Sequence, residues 1–224
     1  MLQRQHLQDY FLINGCFVLI SVIGWLYWGD PDFLGATQRF LNLGDWRPLV
    51  RAFSNFSLYG FYALFVAAFL RSYRSYRRSD LQSRRVVQAY LVAEILGAGI
   101  IARSLKMVLG RARPDAGLGD SFFGFEWSPQ FHAFPSGHTV DIWICAFFAG
   151  ILIPRRWFWI GSGLVAVLVS LSRMSMNVHW PSDVLAGTVL GAGVSLLVAR
   201  YWLGSDGAVP VAGDSSEMSA TPPL

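Results

Sequence analysis

The sequence predicts an all-α integral membrane bundle of six transmembrane helices, and three observations lead there. The composition is 54% hydrophobic and only 14% charged, where a soluble domain carries about 25% charged residues. Six apolar runs recur along residues 1–203, and a spanning helix needs about 20 largely apolar residues. The polar side chains gather in a few places instead of alternating along the runs, and in an oily chain such clusters are costly unless paired or used.

Residues 11–28 form the first run. The apolar core of a signal peptide is shorter, follows a basic segment and precedes a small-residue cleavage site. Only Arg4 precedes this run as a positive charge and no such site follows, so it reads as a retained helix. Residues 30–51 mix Asp, Arg, Gly and Pro with spaced Phe, Leu and Trp, which fits either an amphipathic segment lying flat on the membrane or a connecting loop. The second span is 52–70, followed at 71–85 by a polar stretch with six arginines and one aspartate, a solvated loop. The third, 86–109, carries Glu94 within it and Arg103 and Lys106 near its far end. A loop at 110–137 leads to the fourth span at 138–153, a tight turn at Pro154, Arg155 and Arg156, the fifth span at 157–171 and the sixth at 182–203. Residues 204–224 are rich in Gly, Ser, Ala and Pro without apolar period, a disordered tail appended to the transmembrane domain of residues 1–203.

The formal net charge is +4, but the basic residues do not form one stripe interleaved with exposed aromatics, which argues against nucleic acid. Cys16 and Cys145 both lie in apolar runs and read as buried free thiols, not a disulfide. Seventeen of the basic residues are arginines and one is a lysine, Lys106. With a cytoplasmic amino terminus, ten basic residues fall on the cytoplasmic side and seven on the other. Setting aside Lys106, Arg113 and Arg173, which have another explanation below, leaves ten against four, the bias of the positive-inside rule. The loops at 110–137 and 172–181 then meet at the outer face of the membrane, the periplasmic side in a bacterium.

Three segments converge on that face. Lys106 stands seven residues before Arg113-Pro114, nearly two helical turns, so the two cations share a face if the helix persists past Gly110. By itself this also fits cations anchoring a helix end at the headgroups. Pro135-Ser136-Gly137-His138 precedes an apolar run. Ser136 suits a helix cap, Gly137 permits close approach to a ligand, and the free N–H groups of a first helical turn attract anions. His138 stands in that turn, able to donate a proton to an oxygen leaving the anion. In the third segment, Pro181 fits the first position of the sixth helix with Asp183 in its first turn. His179 lies four residues before Asp183, whose carboxylate can fix one ring nitrogen and leave the other as nucleophile. Arg173 adds a planar, bidentate phosphate donor. Each segment alone has a structural explanation; together they supply the fixed donors, nucleophile and acid that phosphoryl transfer requires.

These segments read K-x6-R-P, P-S-G-H and S-R-x5-H-x3-D, in order and without substitution, across residues 106–183. In that middle third the chain resembles the type 2 phosphatidic acid phosphatase superfamily, and elsewhere only in the six-span outline of its membrane branch. The resemblance implies a phosphohistidine on His179, Asp183 supporting that histidine, and His138 as general acid and then base for water. Lys106, Arg113, Ser136, Gly137 and Arg173 would hold the phosphate, with no metal and no other cofactor. The expected partners are the bilayer and a lipid phosphate or diphosphate: prenyl diphosphate, phosphatidylglycerol phosphate, phosphatidic acid or phosphorylated lipid A. Transfer of the phosphate to another lipid, or binding of an anionic lipid without chemistry, are the competing readings.

Other polar residues stay open at this level. Glu94 is either functional or paired within the bundle, and Asp141 either supports His138 from the same helical face or caps local polar groups. His132 and Arg111 flank the motifs as candidates for headgroup contact. Gly187 and Gly191 are expected to permit close helix packing.

Overall fold

The computed structural model describes residues 4–41, 44–74 and 78–204. Helix α1 is Arg4–Leu41, α2 is Arg47–Tyr73, and α3 is Arg78–Glu94. A π-helical stretch, Ile95–Ala102, joins α3 to α4, Arg103–Leu109. Helices α5, Gly137–Leu152, α6, Arg156–Ser175, and α7, Pro181–Leu203, complete the order. The only β pairings among the described residues are isolated bridges from Arg111 to Phe122 and to His132. The predicted tail lies outside the described residues apart from Gly204.

Five stretches are long and apolar enough to cross a membrane: Tyr10–Leu41, Gly44–Tyr73, Leu81–Leu109, Arg156–Ser175 and Pro181–Leu203. The remaining predicted span, the fourth, is α5, with 16 residues or about 24 Å at 1.5 Å per residue. It occupies the centre, packed by α7, α6, α3 and α2, and is buried from Thr139 to Gly150 except at Asp141. A helix apolar on every side belongs in such a position, and one surrounded by protein need not match the full hydrocarbon thickness. The outer helices expose large apolar side chains, among them Leu26, Tyr27, Phe56 and Leu197, a surface suited to lipid.

Close packing at the centre depends on residues without side chains. A Cβ on Gly187 would fall 2.7 Å from the Ser136 carbonyl oxygen, and one on Gly191 2.7 Å from that of Val140, so α7 presses directly on α5 as expected. On the opposite side Gly150 admits the Trp159 ring, whose Cδ2 would lie 2.5 Å from an added Cβ. Tyr10 from α1 fills the space among Trp143, Phe147 and Trp159 with edge-on ring contacts, and its hydroxyl donates to the Trp143 carbonyl at 3.2 Å.

Several expectations change, among them the loop at 71–85, since α2 runs on to Tyr73 and α3 begins at Arg78. Residues 30–41 are not a connecting loop, because α1 bends at Gly29 and continues as a helix to Leu41. Gly29 takes φ 70°, and Pro31 sits in the first turn of the continuation, where its missing N–H costs nothing. Of the two cysteines, which are both free, Cys145 is buried but Cys16 is exposed on the outward surface of α1.

Helix α4 also stops at Leu109 instead of carrying on to Arg113. Gly110 adopts φ 54°, donates its N–H to the Lys106 carbonyl at 3.1 Å, and turns the chain out of the helix. A Cβ there would stand 1.9 Å from the Gly124 carbonyl oxygen. Gly110→Ala is therefore expected to cost about 2–3 kcal/mol from the left-handed backbone and the displaced loop, read as a lower unfolding temperature in detergent. A variant as stable as the parent would show that residue 124 yields freely.

Candidate active site

The loop after α4 folds back instead of continuing helically, and this is how Arg113 reaches the site. The Arg113 N–H donates to the Gln130 carbonyl at 2.9 Å, the Ala133 N–H to the Arg111 carbonyl at 3.1 Å, and the Ser136 N–H to the Asp183 carbonyl at 3.0 Å. Lys106 and Arg113 thus converge through loop pairing, not through a shared helical face. The Lys106 ammonium donates to the carbonyls of His132 at 3.0 Å and Pro135 at 2.7 Å, which fixes it beneath the start of α5. A Cβ on Gly137 would lie 3.7 Å from the Lys106 Cε, so the glycine backbone and the lysine share one wall.

Ser136 occupies the N-cap position of α5, but its buried hydroxyl makes no capping bond to the helix backbone. It accepts a hydrogen bond from the Thr139 hydroxyl at 2.9 Å. The N–H groups of the first turn, which have no partner within the helix, face an anion-binding end.

Helix α6 ends in a left-handed residue, Asn177 at φ 61°, a conformation asparagine tolerates better than most residues. Its side-chain oxygen accepts from Gln38 Nε2 on α1 at 2.8 Å, and the Val178 N–H returns to the Arg173 carbonyl at 3.2 Å. The turn leaves Arg173 in the last turn of α6 and carries His179 inward. The Nε atoms of Arg113 and Arg173 are both buried without a hydrogen-bond partner, donors held in place for a ligand atom.

His179 is only 3% exposed, and its Nδ1 lies 2.8 Å from the Ala133 carbonyl oxygen. A carbonyl can only accept, so Nδ1 carries the proton and Nε2 keeps its lone pair. Burial, reinforced by the charges of Lys106, Arg173 and Arg113 and opposed by the Ala133 bond, holds the imidazole pKa well below its ordinary value. The ring is neutral at neutral pH.

Asp183 takes a different position from the simple dyad. Its Oδ2 is 3.6 Å from His179 Nδ1, beyond hydrogen-bond distance, and accepts instead from the Trp180 N–H at 2.8 Å. Oδ1 pairs with Arg111 Nη1 at 2.6 Å. Arg111 is thus no headgroup contact: 3% exposed, it also donates from Nη1 to the Ser182 hydroxyl at 2.6 Å, from Nη2 to Asp30 Oδ2 at 2.7 Å and from Nε to the Asp120 carbonyl at 3.2 Å. Its guanidinium lies 4.9 Å from the Phe122 ring centroid. Asp30 accepts further from the Ser182 N–H and hydroxyl, so the α1 bend, the loop after α4 and the start of α7 are tied at one buried charge cluster.

His132 is likewise engaged, its Nε2 3.0 Å from the Glu126 carbonyl. Asp141 makes no hydrogen bond to His138; its carboxyl lies near that of Glu94 on α3, so the two acids interact within the bundle. The partner of His138 is Asn55 on α2, whose Oδ1 is 3.3 Å from Nε2. Asn55 and Asp30 were absent from the motif reading. Their signals were faint: a single amide in the apolar run 52–70, and an acid flanked by Gly29 and Pro31.

The site therefore brings together Lys106, Arg113, Ser136, Gly137, His138, Arg173 and His179, with Asp183 one bond behind, at the ends of α4, α5, α6 and α7. Comparison with known proteins shows the family. Over 130 residues the chain is 38% identical to a lipid A 1-phosphatase of Rhizobium johnstonii, covering 54% of this chain and 51% of that protein. It is 34% identical over 113 residues to an undecaprenyl-diphosphatase of Sulfolobus acidocaldarius, covering 50% of this chain and 54% of the relative. The chain spans about half the length of these relatives. The crystal structure of a transmembrane PAP2-type phosphatidylglycerolphosphate phosphatase from Bacillus subtilis superposes with a TM-score of 0.54 at 20% identity, over 89% of this chain and 98% of the other, and so shares the fold. The PAP2 superfamily model matches residues 87–205, which include every motif residue, and the chain belongs to that superfamily.

Proposed function

We propose that this protein removes the terminal phosphate of a lipid phosphate or lipid diphosphate, through a phosphohistidine on His179. The observation that carries the reading is the buried His179 ring with Nδ1 2.8 Å from the Ala133 carbonyl oxygen, which leaves Nε2 free to attack, within electrostatic reach of Lys106, Arg113 and Arg173. Nε2 attacks phosphorus as the bond to the leaving oxygen breaks, and that oxygen takes the electron pair and a proton from His138. Lys106, the Arg113 and Arg173 guanidinium groups and the first-turn N–H groups of α5 balance the charge on the equatorial oxygens. Water then attacks the phosphohistidine, gives its proton to His138, and releases inorganic phosphate and free His179. Asp183 acts on this chemistry through the loop it anchors and through its charge near Nδ1.

The lipid class follows from an apolar outward surface that ends at the phosphate site, with the named activities of the two relatives in support. Prenyl diphosphate, phosphatidylglycerol phosphate, phosphatidic acid and phosphorylated lipid A are the candidate substrates. With Arg71, Arg74, Arg84, Arg85, Arg155, Arg156 and Arg200 in the segments opposite the site, the positive-inside rule supports a site on the outer face of a bacterial cytoplasmic membrane. Phosphate release from these four lipids and from a water-soluble phosphate ester, in detergent without added metal, tests the reading. Release from none of the lipids would refute it.

The protonation state of His179 gives a pH prediction. Because its pKa is lowered, the nucleophile stays unprotonated as pH falls from 7 past the ordinary histidine value of about 6.5. The acid limb of kcat/KM, corrected for ionisation of the substrate phosphate, is expected well below that value. An acid limb near 6.5 in the corrected profile would contradict the neutral, buried nucleophile.

A further inference from the structure

One face of α2 has no part in the chemistry above and meets it at one end. Arg47, Arg51 and Asn55 recur every four residues, so they stack along the helix about 6 Å apart. Together with Pro48, Ala52 and Met176 they line a cavity of about 440 Å³. At its inner end Asn55 Oδ1 is 3.3 Å from His138 Nε2, and Arg51 is close enough to Arg173 for the two cations to repel. At its outer end Arg47 Nη2 is 3.5 Å from the Met176 carbonyl, at the base of the loop that carries His179. Among the described residues no carboxylate pairs with Arg47 or Arg51, and none lines the cavity. Two guanidinium groups thus border one space with no carboxylate in its lining, and a third, that of Arg173, lies near Arg51, an arrangement that favours an anion.

The direction of the reaction says which anion. In-line displacement puts the leaving oxygen opposite His179, where His138 protonates it. Whatever that oxygen is attached to continues past His138, and the next groups outward are Asn55, then Arg51, then Arg47. Building on the proposed phosphatase chemistry, we propose that Arg51 and Arg47 form a subsite for a second phosphate carried by the leaving group, while Asn55 positions His138 to protonate the oxygen between. The favoured substrates then carry two phosphates a few bonds apart: a lipid diphosphate, or a lipid whose terminal phosphate is followed by a phosphodiester. Lipid monophosphates without a second anion, such as phosphatidic acid, gain nothing from this face.

The test uses the full chain in detergent and the Arg47→Gln/Arg51→Gln double variant, with thermal unfolding to verify that both are folded. Two pairs of substrates with matched tails are compared: farnesyl diphosphate against farnesyl monophosphate, and phosphatidylglycerol phosphate against phosphatidic acid. The variant is expected to lower the kcat/KM ratio in at least one pair by about tenfold or more, the scale of one lost charge-assisted contact. A fall in the first pair identifies the diphosphate as the source of the second anion, and a fall in the second identifies the phosphodiester. Equal losses on both members of each pair would overturn the subsite, since that is how arginines anchored to bilayer headgroups or acting by general charge would behave. Binding of methylenediphosphonate and of orthophosphate, measured by calorimetry, decides the matter independently of turnover. The variant should weaken the diphosphonate about tenfold more than orthophosphate, and equal weakening would overturn the proposal. Absence of turnover on all four lipids and on phosphorylated lipid A by the intact protein would refute the phosphatase reading, with the diphosphonate measurement still deciding the subsite.

Discussion

His179→Ala is expected to lower phosphate release by about four orders of magnitude or more, since removing a covalent nucleophile costs nearly the whole of the catalytic effect. The loss should fall on kcat, because the groups that bind the phosphate remain. Lys106 is held by two carbonyls, the Arg113 and Arg173 Nε donors keep their positions, and Ser136 stays packed against Thr139. The cavity left behind is small, and the only hydrogen bond lost is that to the Ala133 carbonyl. Brief incubation of the intact enzyme with radiolabelled substrate, followed by alkaline quench, should trap an acid-labile phosphoenzyme that His179→Ala lacks. Substantial turnover by the alanine variant would eliminate the phosphohistidine and leave a direct attack by water.

Arg111→Ala is expected to destabilise the protein by about 3–5 kcal/mol, the cost of breaking a buried ion pair from one side. The guanidinium bonds both Asp30 and Asp183, which are 5% and 0% exposed, and its removal leaves two carboxylates in a space emptied of their cation. Arg111→Lys should recover only part of this, because an ammonium does not reach two carboxylates with the spread of a planar fork. Activity is expected to fall with stability, since Asp183 also holds the Trp180 N–H and so the approach of His179. The readouts are thermal unfolding in detergent and kcat measured below the unfolding range. If Arg111→Ala unfolded at the parent temperature, solvent would have to reach both carboxylates, contrary to their burial.

These two residues mark how far the chain could be read by eye. His179 was visible because the pattern S-R-x5-H-x3-D is local, and a local pattern survives in one dimension. Arg111 sits between two recognised motif residues, yet its role depends on Asp30, 81 positions away. Asn55 faces His138 across 83 positions. No periodicity along the chain marks such pairs, because they are set by which helices become neighbours. The same distinction explains Asp141. Three residues beyond His138 on one helix, it is a reasonable support for that histidine, but the histidine meets Asn55 of α2 and the carboxyl lies near Glu94 of α3.

The sequence by itself determined the all-α membrane architecture, the limits of the last three helices to within a few residues, and which residues are proposed for the phosphate site. Apolar run length and motif spacing are properties of neighbours in the chain, and the bilayer converts them directly into helices. Only the tertiary structure decided that α1 continues through Gly29 and Pro31, that α4 stops at Gly110, and that the proton on His179 is held by Ala133 while Asp183 is held by Arg111. Each of these turns on a buried polar atom finding a partner. In a chain with so few polar groups, that partner is whichever one the helix packing brings within 3 Å.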